Sequence, residues 1–270
     1  NVSDVVSSDG ISIDYTPPVT GSVSDGLGED LIFTGTSDSL SANWSGFSDS
    51  FSGIEYFEYA IGTTLQGTDV VNWTLNGIDS SMTHSGLALA DGSFYFISVR
   101  ATDYADNVSA ITSSNGVIVD VSGPLVGSVN DGIGTDETWT NSYTTLEGNW
   151  SGFSDAVSGL QYYEYAIGDS PEDSNTVDWM NNELETTFIR DDLTLQSGSM
   201  YYISVRATDL VENTSAVATS NGITVDQFSP TVSDPFDGSL SEDIDWQQDN
   251  SMLIAAWQGN DTREIAYYEY

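Results

Sequence analysis

The chain repeats itself with an offset of 106 residues, and this periodicity constrains its fold more than any other feature. The text NWSGFSD occurs at residues 43–49 and again at 149–155. The same offset relates ISVRATD at 97–103 to its copy at 203–209. A period of about 106 residues is the size of one small domain, so the sequence predicts tandem domains of one kind.

The outer segments continue the same register. The text GISID at residues 10–14 matches GVIVD at 116–120 and GITVD at 222–226. Residues 1–14 are therefore predicted to be the last strand of a preceding repeat. Two complete repeats follow, at 15–120 and 121–226. A further repeat begins at 227–270, where Ala256-Trp257 and the text IAYYEY at 265–270 echo the earlier copies.

Within a repeat, apolar residues alternate with polar ones. Leu40, Ala42 and Trp44 are separated by Ser41 and Asn43. Alternation with period two is typical of half-buried strands, and turns rich in Gly, Asp and Ser separate these segments. The pattern predicts an all-β fold of tandem antiparallel β-sandwiches, with no stretch that favours a helix.

The charge of the chain narrows its partners. The sequence has 42 acidic residues against four Lys or Arg, a formal net charge of −38. This excess disfavours nucleic acid and anionic membranes as partners, and it calls for screening or bound cations. Cysteine is absent, which excludes disulfides, thiolate metal sites and cysteine catalysis. No run of 18 apolar residues is present, so direct membrane insertion of this segment is not expected.

Several of these segments resemble a known class of domain. Trp44 on the second strand, the turn GLALADG at 86–92 and the Tyr-x-Ile-x-Val-x-Ala strand at 95–101 look like fibronectin type III or related immunoglobulin-like domains. The Val-Asp-x-x-x-Pro text at 119–124 resembles the linker of repetitive bacterial and algal surface proteins. The resemblance implies fold more strongly than function, because such sandwiches serve as spacers, adhesins, filament subunits and accessory modules of enzymes.

Acidic residues are expected to converge at one pole of each sandwich. In this topology the loop after the second strand lies beside the loop before the last strand and beside the incoming linker. Carboxylate and amide oxygens from three loops suit a six- to eight-coordinate calcium ion. The alternative is that Asp and Asn act there only as turn formers. The predicted calcium ligands are Asp14, Asp49, Asp103, Asp106 and Asn107 in the first set, and Asp120, Asp155, Asp209, Glu212 and Asn213 in the second.

A second carboxylate pair recurs near the opposite pole, as Asp25 with Asp30 and as Asp131 with Asp136. Asn-x-Ser/Thr sequons offer a different modification. They occur at Asn1, Asn43, Asn72, Asn107, Asn149, Asn213 and Asn260. Alternation predicts that Asn43 and Asn149 face outward and carry N-glycans. The alternative is that asparagine merely suits the end of the strand.

Other candidates are weaker. Five aromatic residues fall off the inward register: Tyr56, Tyr162, Tyr267, Phe96 and Tyr202. They are candidate chain-to-chain contacts or sugar-stacking platforms. The alternatives are that strand bulges turn them into the core or that glycans cover them. The single histidine, His84, has Arg190 as its counterpart in the next repeat, and no nucleophile elbow, phosphate loop or zinc spacing is present. The sequence therefore predicts no catalytic residues and no enzyme activity.

These observations predict an extracellular or cell-surface structural protein. We expect the shaft of a fibre or appendage, stiffened by calcium or coated with glycans, with copies of itself as partners in a filament. The alternatives are an adhesin that binds surface glycans and a spacer beside a secreted enzyme. The loop at 44–53 is nearly unchanged at 150–159, which favours a spacer or polymer over a binding repeat.

Overall fold

A computed structural model describes residues 1–239, 242–243, 245–246, 248, 252–261 and 265–269. The described residues form strands, turns and irregular segments, without helix. None of them belongs to a helix long and apolar enough to cross a lipid bilayer. The strands of the first repeat are β1 Ser22–Asp25, β2 Phe33–Thr34, β3 Ser39–Ser45, β4 Ile54–Gly62, β5 Val71–Gly77, β6 Ser81–Ser85, β7 Phe94–Asp103, β8 Thr112–Ser113 and β9 Val117–Val119.

Two sheets make up the first repeat. One has the order β1-β3-β6, and the other has the order β2-β9-β7-β4-β5 with β8 also paired to β7. Neighbouring strands are antiparallel except β2, which runs parallel to β9. The chain thus crosses several times between the two sheets, as in fibronectin type III and immunoglobulin-like sandwiches. The predicted fold class is confirmed.

The second repeat reproduces this arrangement. Its strands are β10 Ser128–Asp131, β11 Trp139–Thr140, β12 Leu146–Ser151, β13 Leu160–Gly168, β14 Val177–Asn181, β15 Thr187–Arg190, β16 Met200–Asp209, β17 Ala218–Thr219 and β18 Ile223–Val225. The sheet orders are β10-β12-β15 and β11-β18-β16-β13-β14, with β17 on β16. Each strand thus has its counterpart in the first repeat, so the sequence period is also a structural period.

The core of the first repeat consists of the alternating residues of facing strands. Trp44 is 4% exposed and meets Phe57 edge to face, with ring centroids 5.6 Å apart. Ile61, Ile97 and Val99 belong to the same core and are fully buried. In the second repeat Trp150 contacts Tyr163 in the same geometry at 5.7 Å. Such edge-to-face pairs stabilise beyond the area that they bury.

A tyrosine pins the turn that enters β7. The backbone N–H of Ala90 donates to Oη of Tyr95 at 2.8 Å, and that of Gln196 donates to Tyr201 at 3.0 Å in the second repeat. This is the tyrosine corner of Greek-key sandwiches. It fixes where the chain crosses from one sheet to the other.

The ends of the chain differ from the two repeats. Residues 1–14, predicted as a final strand, form no strand; their counterparts β9 and β18 pair with β7 and β16 of their own repeats. After residue 226 the strands are β19 Thr231–Val232, β20 Phe236–Ser239, β21 Glu242–Asp243, β22 Ala255–Ala256 and β23 Gly259–Asn260. Tyr270, the last residue of the repeated text at 265–270, lies outside the described residues. Thr262, the third residue of the Asn260 sequon, lies outside them as well.

The contacts divide the chain into two compact units. The first comprises Asn1–Leu125, Ser154–Gln161 and Thr208–Ser215. The second comprises Val126–Phe153, Tyr162–Ala207 and the chain from Ala216 onward. Two polar loops of the second repeat, which include Asp155 and Asp209, thus belong to the first unit together with the linker residue Asp120.

Candidate metal centres

The structure gathers three aspartates from three separate segments, twice. The first aspartate cluster consists of Asp14, Asp49 and Asp103, and the second consists of Asp120, Asp155 and Asp209. In each, one oxygen from every carboxylate lies within 4.8 Å of those of the other two. Each member of the second cluster follows its counterpart by the 106-residue period. Both clusters lie in the first compact unit.

Backbone donors orient the two loop aspartates of the first cluster. Oδ1 of Asp49 accepts N–H bonds from Phe51, Ser52 and Gly53 at 2.8–3.0 Å. Oδ1 of Asp103 accepts those of Ala105 and Asn107 at 2.8 and 2.9 Å. These bonds to Oδ1 fix the orientation of each carboxylate.

The linker aspartate is fixed in the same way. The amide and hydroxyl of Thr16 both donate to Oδ1 of Asp14, at 2.9 and 2.5 Å. Oδ2 of Asp14 is buried and has no hydrogen-bond partner. Nδ2 of Asn107 donates to the backbone oxygen of Asp14 and to Oδ2 of Asp103, at 3.3 and 3.0 Å, and so ties the linker to the loop.

Protonation of these groups is disfavoured by the same donors. The hydroxyl and then the amide of Thr16 hold the pKa of Asp14 below its usual range. Burial alone would raise the pKa of Asp103, but the bonds from Asn107 and Ala105 outweigh it and leave this pKa lowered as well. Carboxylates that accept several N–H bonds stay ionised, as metal ligands must.

The second cluster is built from the equivalent atoms and is more enclosed. Oδ1 of Asp155 accepts three backbone N–H bonds, and Oδ1 of Asp209 accepts two. Asp120 and Asp209 are fully buried. The N–H of Ser158 donates to Asp120 at 3.0 Å and to Asp155 at 2.9 Å. Ser158 is only 6% exposed, and its Oγ has no partner.

No basic side chain among the described residues neutralises either cluster. The arginines in the described part of the chain pair with carboxylates elsewhere, as Arg100 with Glu58, Arg190 with Asp192 and Arg206 with Glu164. The sequence contains no lysine. Three carboxylates that converge without a counter-charge repel one another, so a bound cation would lower the energy of each cluster.

The donor set fits a hard divalent cation. Calcium takes oxygen ligands at 2.3–2.6 Å, so two ligands on opposite sides of the ion lie roughly 5 Å apart. Oxygens within 4.8 Å of one another can therefore surround one such ion. In addition, Oδ2 of Asp14 and Oγ of Ser158 are buried oxygens without partners beside the clusters, and bound calcium would satisfy such atoms.

Four residues predicted as ligands lie elsewhere or act differently. Asp106 and Glu212 are exposed at left-handed turn positions, with φ of 64° and 71°, and neither belongs to a cluster. Asn107 and Asn213 approach with their amide nitrogens, which donate to the cluster aspartates. These two asparagines therefore brace the ligands.

Asn43 and Asn149 lie on the outward register of their strands, but the structure does not leave them exposed there. Both are half-buried, because the loop after β1 or β10 covers their side of the strand. Nδ2 of Asn43 donates to the carbonyls of Gly26 and Gly28, at 2.9 and 3.2 Å. Asn149 binds Gly132 and Gly134 in the same way. A glycan on either nitrogen would require these bonds to break.

The asparagines of the remaining sequons are either hydrogen-bonded through the amide nitrogen or exposed. Asn107 and Asn213 use their amide nitrogens within the aspartate clusters, as described above. Asn72, on β5, is exposed, and its Oδ1 accepts the N–H of Trp73. Asn1 and Asn260 are exposed as well. Among the described residues of the two sandwiches, Asn72 is thus the sequon best placed for modification.

The other candidates have structural surroundings. Nδ1 of His84 lies 2.8 Å from Oη of Tyr59, which gives the histidine a partner inside the sandwich. Phe96 is half-buried and its ring lies over Gly116. Tyr56 is half-buried beside a register shift in β4, whereas Tyr267 is 74% exposed. Tyr162 and Tyr202 are half-buried.

Sequence reasoning missed part of the two clusters. Thr16 orients the linker aspartate, and Ser158 adds an unpartnered hydroxyl beside the second cluster. The text Asp-x-x-Ser-Gly, shared by residues 49–53 and 155–159, carried the signal for the serine. The bond from Asn107 to the backbone of Asp14 spans 93 residues, and no local pattern reveals such a contact.

Comparisons with known proteins identify no family for this chain. No protein-family model matches the chain, and no curated protein matches it. Solved structures with a similar arrangement include the chicken CNTN1 FN1-FN3 domains, at 14% identity and a TM-score of 0.38, over 78% of this chain and 68% of that one. The Clostridium thermocellum CbhA fibronectin(III)-like modules align at 13% identity and a TM-score of 0.36, over 76% and 94%. Domains A168-A170 from titin align at 14% identity and a TM-score of 0.45, over 77% and 67%.

Proposed function

We propose that this chain is a segment of an extracellular structural shaft, in which calcium binds at the aspartate clusters and fixes each linker to the sandwich that follows it. Asp14 and Asp120 come from linkers, whereas the other cluster members come from two loops of the next repeat. An ion bound by all three aspartates of a cluster would hold the linker against the two loops, where hydrogen bonds are the other contacts described. A shaft needs such fixation at every joint, because free linkers would let it bend.

The observation that carries this proposal is the repetition of the whole arrangement. The same three aspartates, the same bracing asparagine and the same backbone donors occur one period apart. Turn-forming aspartates would satisfy their own loops and would not need to converge with a linker residue 35 positions away in sequence. Convergence in both repeats supports a common ligand.

The calcium affinity expected for the aspartate clusters suits a medium rich in calcium. Sites of this kind in extracellular modules bind calcium with dissociation constants of about 10⁻⁴ to 10⁻³ M. Such sites are occupied where calcium is millimolar and would be largely vacant in cytosol. The formal charge of −38 also favours a surrounding of high ionic strength. Self-association into a filament stays a prediction.

Limited proteolysis tests the proposal at the linker itself. Val121 is 40% exposed and directly follows Asp120, so elastase has a cleavage site beside the second cluster. We expect calcium to slow cleavage after Val121, measured by mass spectrometry of the fragments, and magnesium at equal ionic strength to slow it less. Magnesium demands near-ideal octahedral geometry, which three fixed carboxylates do not provide.

Matched variants separate a site from general charge screening. Asp155→Asn should abolish the protection by calcium, because it removes a cluster ligand. Asp106→Asn removes one charge from an exposed turn position of the same chain and should leave the protection intact. Equal loss in both variants, or equal protection by sodium and calcium, would show that calcium acts only by screening.

A further inference from the structure

Each repeat contains a buried carboxyl group that the aspartate clusters do not involve. Asp25 ends β1 and Asp131 ends β10, and both are fully buried. Oδ2 of Asp25 accepts the N–H of Gly116 at 3.1 Å, and Oδ2 of Asp131 accepts that of Gly222 at the same distance. These bonds span 91 residues and link a strand of one sheet to the turn before the last strand of the other.

The turn is shaped for this contact. Gly116 has a φ of 95°, and a Cβ atom there would lie 2.7 Å from the ring of Phe96. Only glycine fits this position, and the aromatic ring covers it. Gly222 has the same φ and lies under Tyr202 and Met200. The glycine that donates to each carboxyl is therefore covered by an aromatic ring in both repeats.

One oxygen of each carboxyl is left without a donor. Oδ1 of Asp25 and Oδ1 of Asp131 are buried and make no hydrogen bond. An ionised carboxylate with a buried, unpartnered oxygen carries a large desolvation penalty. A second acid adds to it, because Asp30 binds the N–H of Asp25 at 2.8 Å and Asp136 binds that of Asp131 at 3.0 Å.

We propose that Asp25 and Asp131 are proton-binding sites, each of which takes up one proton in the folded sandwich and so strengthens the sandwich under mild acid. A proton removes the charge, and it turns the unpartnered oxygen into a hydroxyl. The Gly116 and Gly222 bonds remain, because the other oxygen accepts them. This inference is independent of calcium binding at the aspartate clusters.

The groups around Asp25 and Asp131 favour the protonated form of each carboxyl. Burial raises the pKa of Asp25 to about 6; the Ser114 hydroxyl lowers it, the Asp30 carboxylate raises it and the Gly116 amide lowers it. Burial likewise raises the pKa of Asp131 to about 6. The Ser220 hydroxyl lowers this pKa, the Asp136 carboxylate raises it and the Gly222 amide lowers it. Asp30 and Asp136 are the charged groups that act on them in the described part of the chain. In the second repeat, a further acid, Glu137, lies over Gly132. Leu31 occupies the equivalent position in the first repeat.

A metal ion fits these positions less well. Among the described residues, groups of three or more potential ligands form only at the aspartate clusters, and the Asp25 pair does not reach that number. A proton needs only one acceptor oxygen, which Oδ1 of Asp25 supplies.

Titration of the carboxyl carbons tests this directly. With the whole chain in chelator, we expect the ¹³Cγ resonances of Asp25 and Asp131 to titrate near pH 6. An unperturbed aspartate titrates at about pH 3.9, which is the reference for these two midpoints. Midpoints below about pH 4.5 for Asp25 and Asp131 would overturn the proposal. A calcium-dependent shift of these resonances at pH 7 would overturn it too, because it would identify a cation as the ligand.

Stability of a matched pair of variants gives a second measurement. The sign follows from linkage: a raised pKa in the folded state makes stability fall as pH rises through about 6. Asp25→Asn removes this dependence. The folding constant of the parent relative to the variant should therefore fall about fiftyfold between pH 4 and pH 8, for a pKa of about 6 in the folded state and about 3.9 in the unfolded chain. Asp30→Asn keeps the buried acid and should keep a pH dependence, moved to lower pH.

Urea unfolding followed by residue-resolved NMR measures the two repeats separately. Asp25→Asn should change the first repeat and leave the second as an internal control. A ratio that stays constant across this pH range would contradict the proposal, whatever the absolute stability of the variant.

Discussion

Replacing Asp120 by asparagine should leave the folded state at least as stable in chelator, but it should destabilise the folded state when calcium is present. Asp120 is fully buried and belongs to the second aspartate cluster, where its oxygens meet those of Asp155 and Asp209 within 4.8 Å. Asparagine has the same shape and keeps one oxygen acceptor. It removes one negative charge from the cluster and leaves the fold otherwise unaltered.

Without calcium, the substitution relieves repulsion. Two unit charges 4.8 Å apart repel by about 1 kcal/mol in bulk water and by about 3.5 kcal/mol at an effective dielectric constant of 20. Asp155 is half exposed, so the lower figure applies to that pair. Asparagine gives up one acceptor, and the bond from Ser122 at 3.3 Å is the weaker of the two, so about 0.5–1 kcal/mol is lost. The variant should be at least as stable as the parent in chelator.

With calcium, the order reverses. A ligand at one hundred times its dissociation constant stabilises the folded state by about 2.7 kcal/mol. Removal of one carboxylate of three should weaken binding at least tenfold, which withdraws about 1.4 kcal/mol or more of this stabilisation. The assay is thermal unfolding of parent and variant in chelator and in calcium, at matched ionic strength. An equal deficit of the variant in both media would refute the reasoning, because it would identify Asp120 as a purely structural residue.

Three further experiments test the fold and the sequons. Asn43→Ala should cost about 1–2 kcal/mol in urea unfolding, because it leaves the Gly26 and Gly28 carbonyls without their donor; unchanged stability would show that these bonds contribute nothing. In a glycosylating host, Asn72→Gln should remove more glycan mass than Asn43→Gln, and the opposite order in intact-mass analysis would contradict the assignment of exposure. Tyr95→Phe should cost about 1 kcal/mol through the lost bond to Ala90, with Tyr201→Phe as the matched change in the second repeat; a loss below the error of the unfolding measurement would argue against the tyrosine corner as a support of the fold.

The periodicity of the sequence was sufficient to predict the sandwiches. Alternation of apolar residues placed Leu40, Ala42 and Trp44 on one face, and the structure buries all three. The aspartates of the two clusters followed from topology, because a Greek-key sandwich brings the relevant loops to one pole. These features depend on strand order, and the sequence pattern determines strand order.

Side-chain direction was harder to predict. Asn43 falls on the outward register of β3, and yet the loop after β1 folds over it and takes both of its amide hydrogens. Asn107 was expected to offer an oxygen ligand, and its amide nitrogen faces Asp103 instead. In both cases a loop from elsewhere decides the orientation, and strand periodicity carries no information about such loops.

The buried acids were visible in sequence only as carboxylate pairs. The text Asp-Gly-x-Gly-x-Asp at residues 25–30 and 131–136 suggests a turn and possible ligands. What distinguishes Asp25 is its contact with Gly116, 91 residues away, and the aromatic ring above that turn. Complete burial of an acid depends on such long-range contacts, so the sequence alone gave no sign of it.

Calorimetric titration of the chelator-treated chain with calcium tests the central claim most directly. The account predicts binding at the two described clusters, with Asp49→Asn and Asp155→Asn each removing one equivalent and Asp106→Asn removing none. Absence of binding at millimolar calcium, or binding that all three variants leave unchanged, would contradict it.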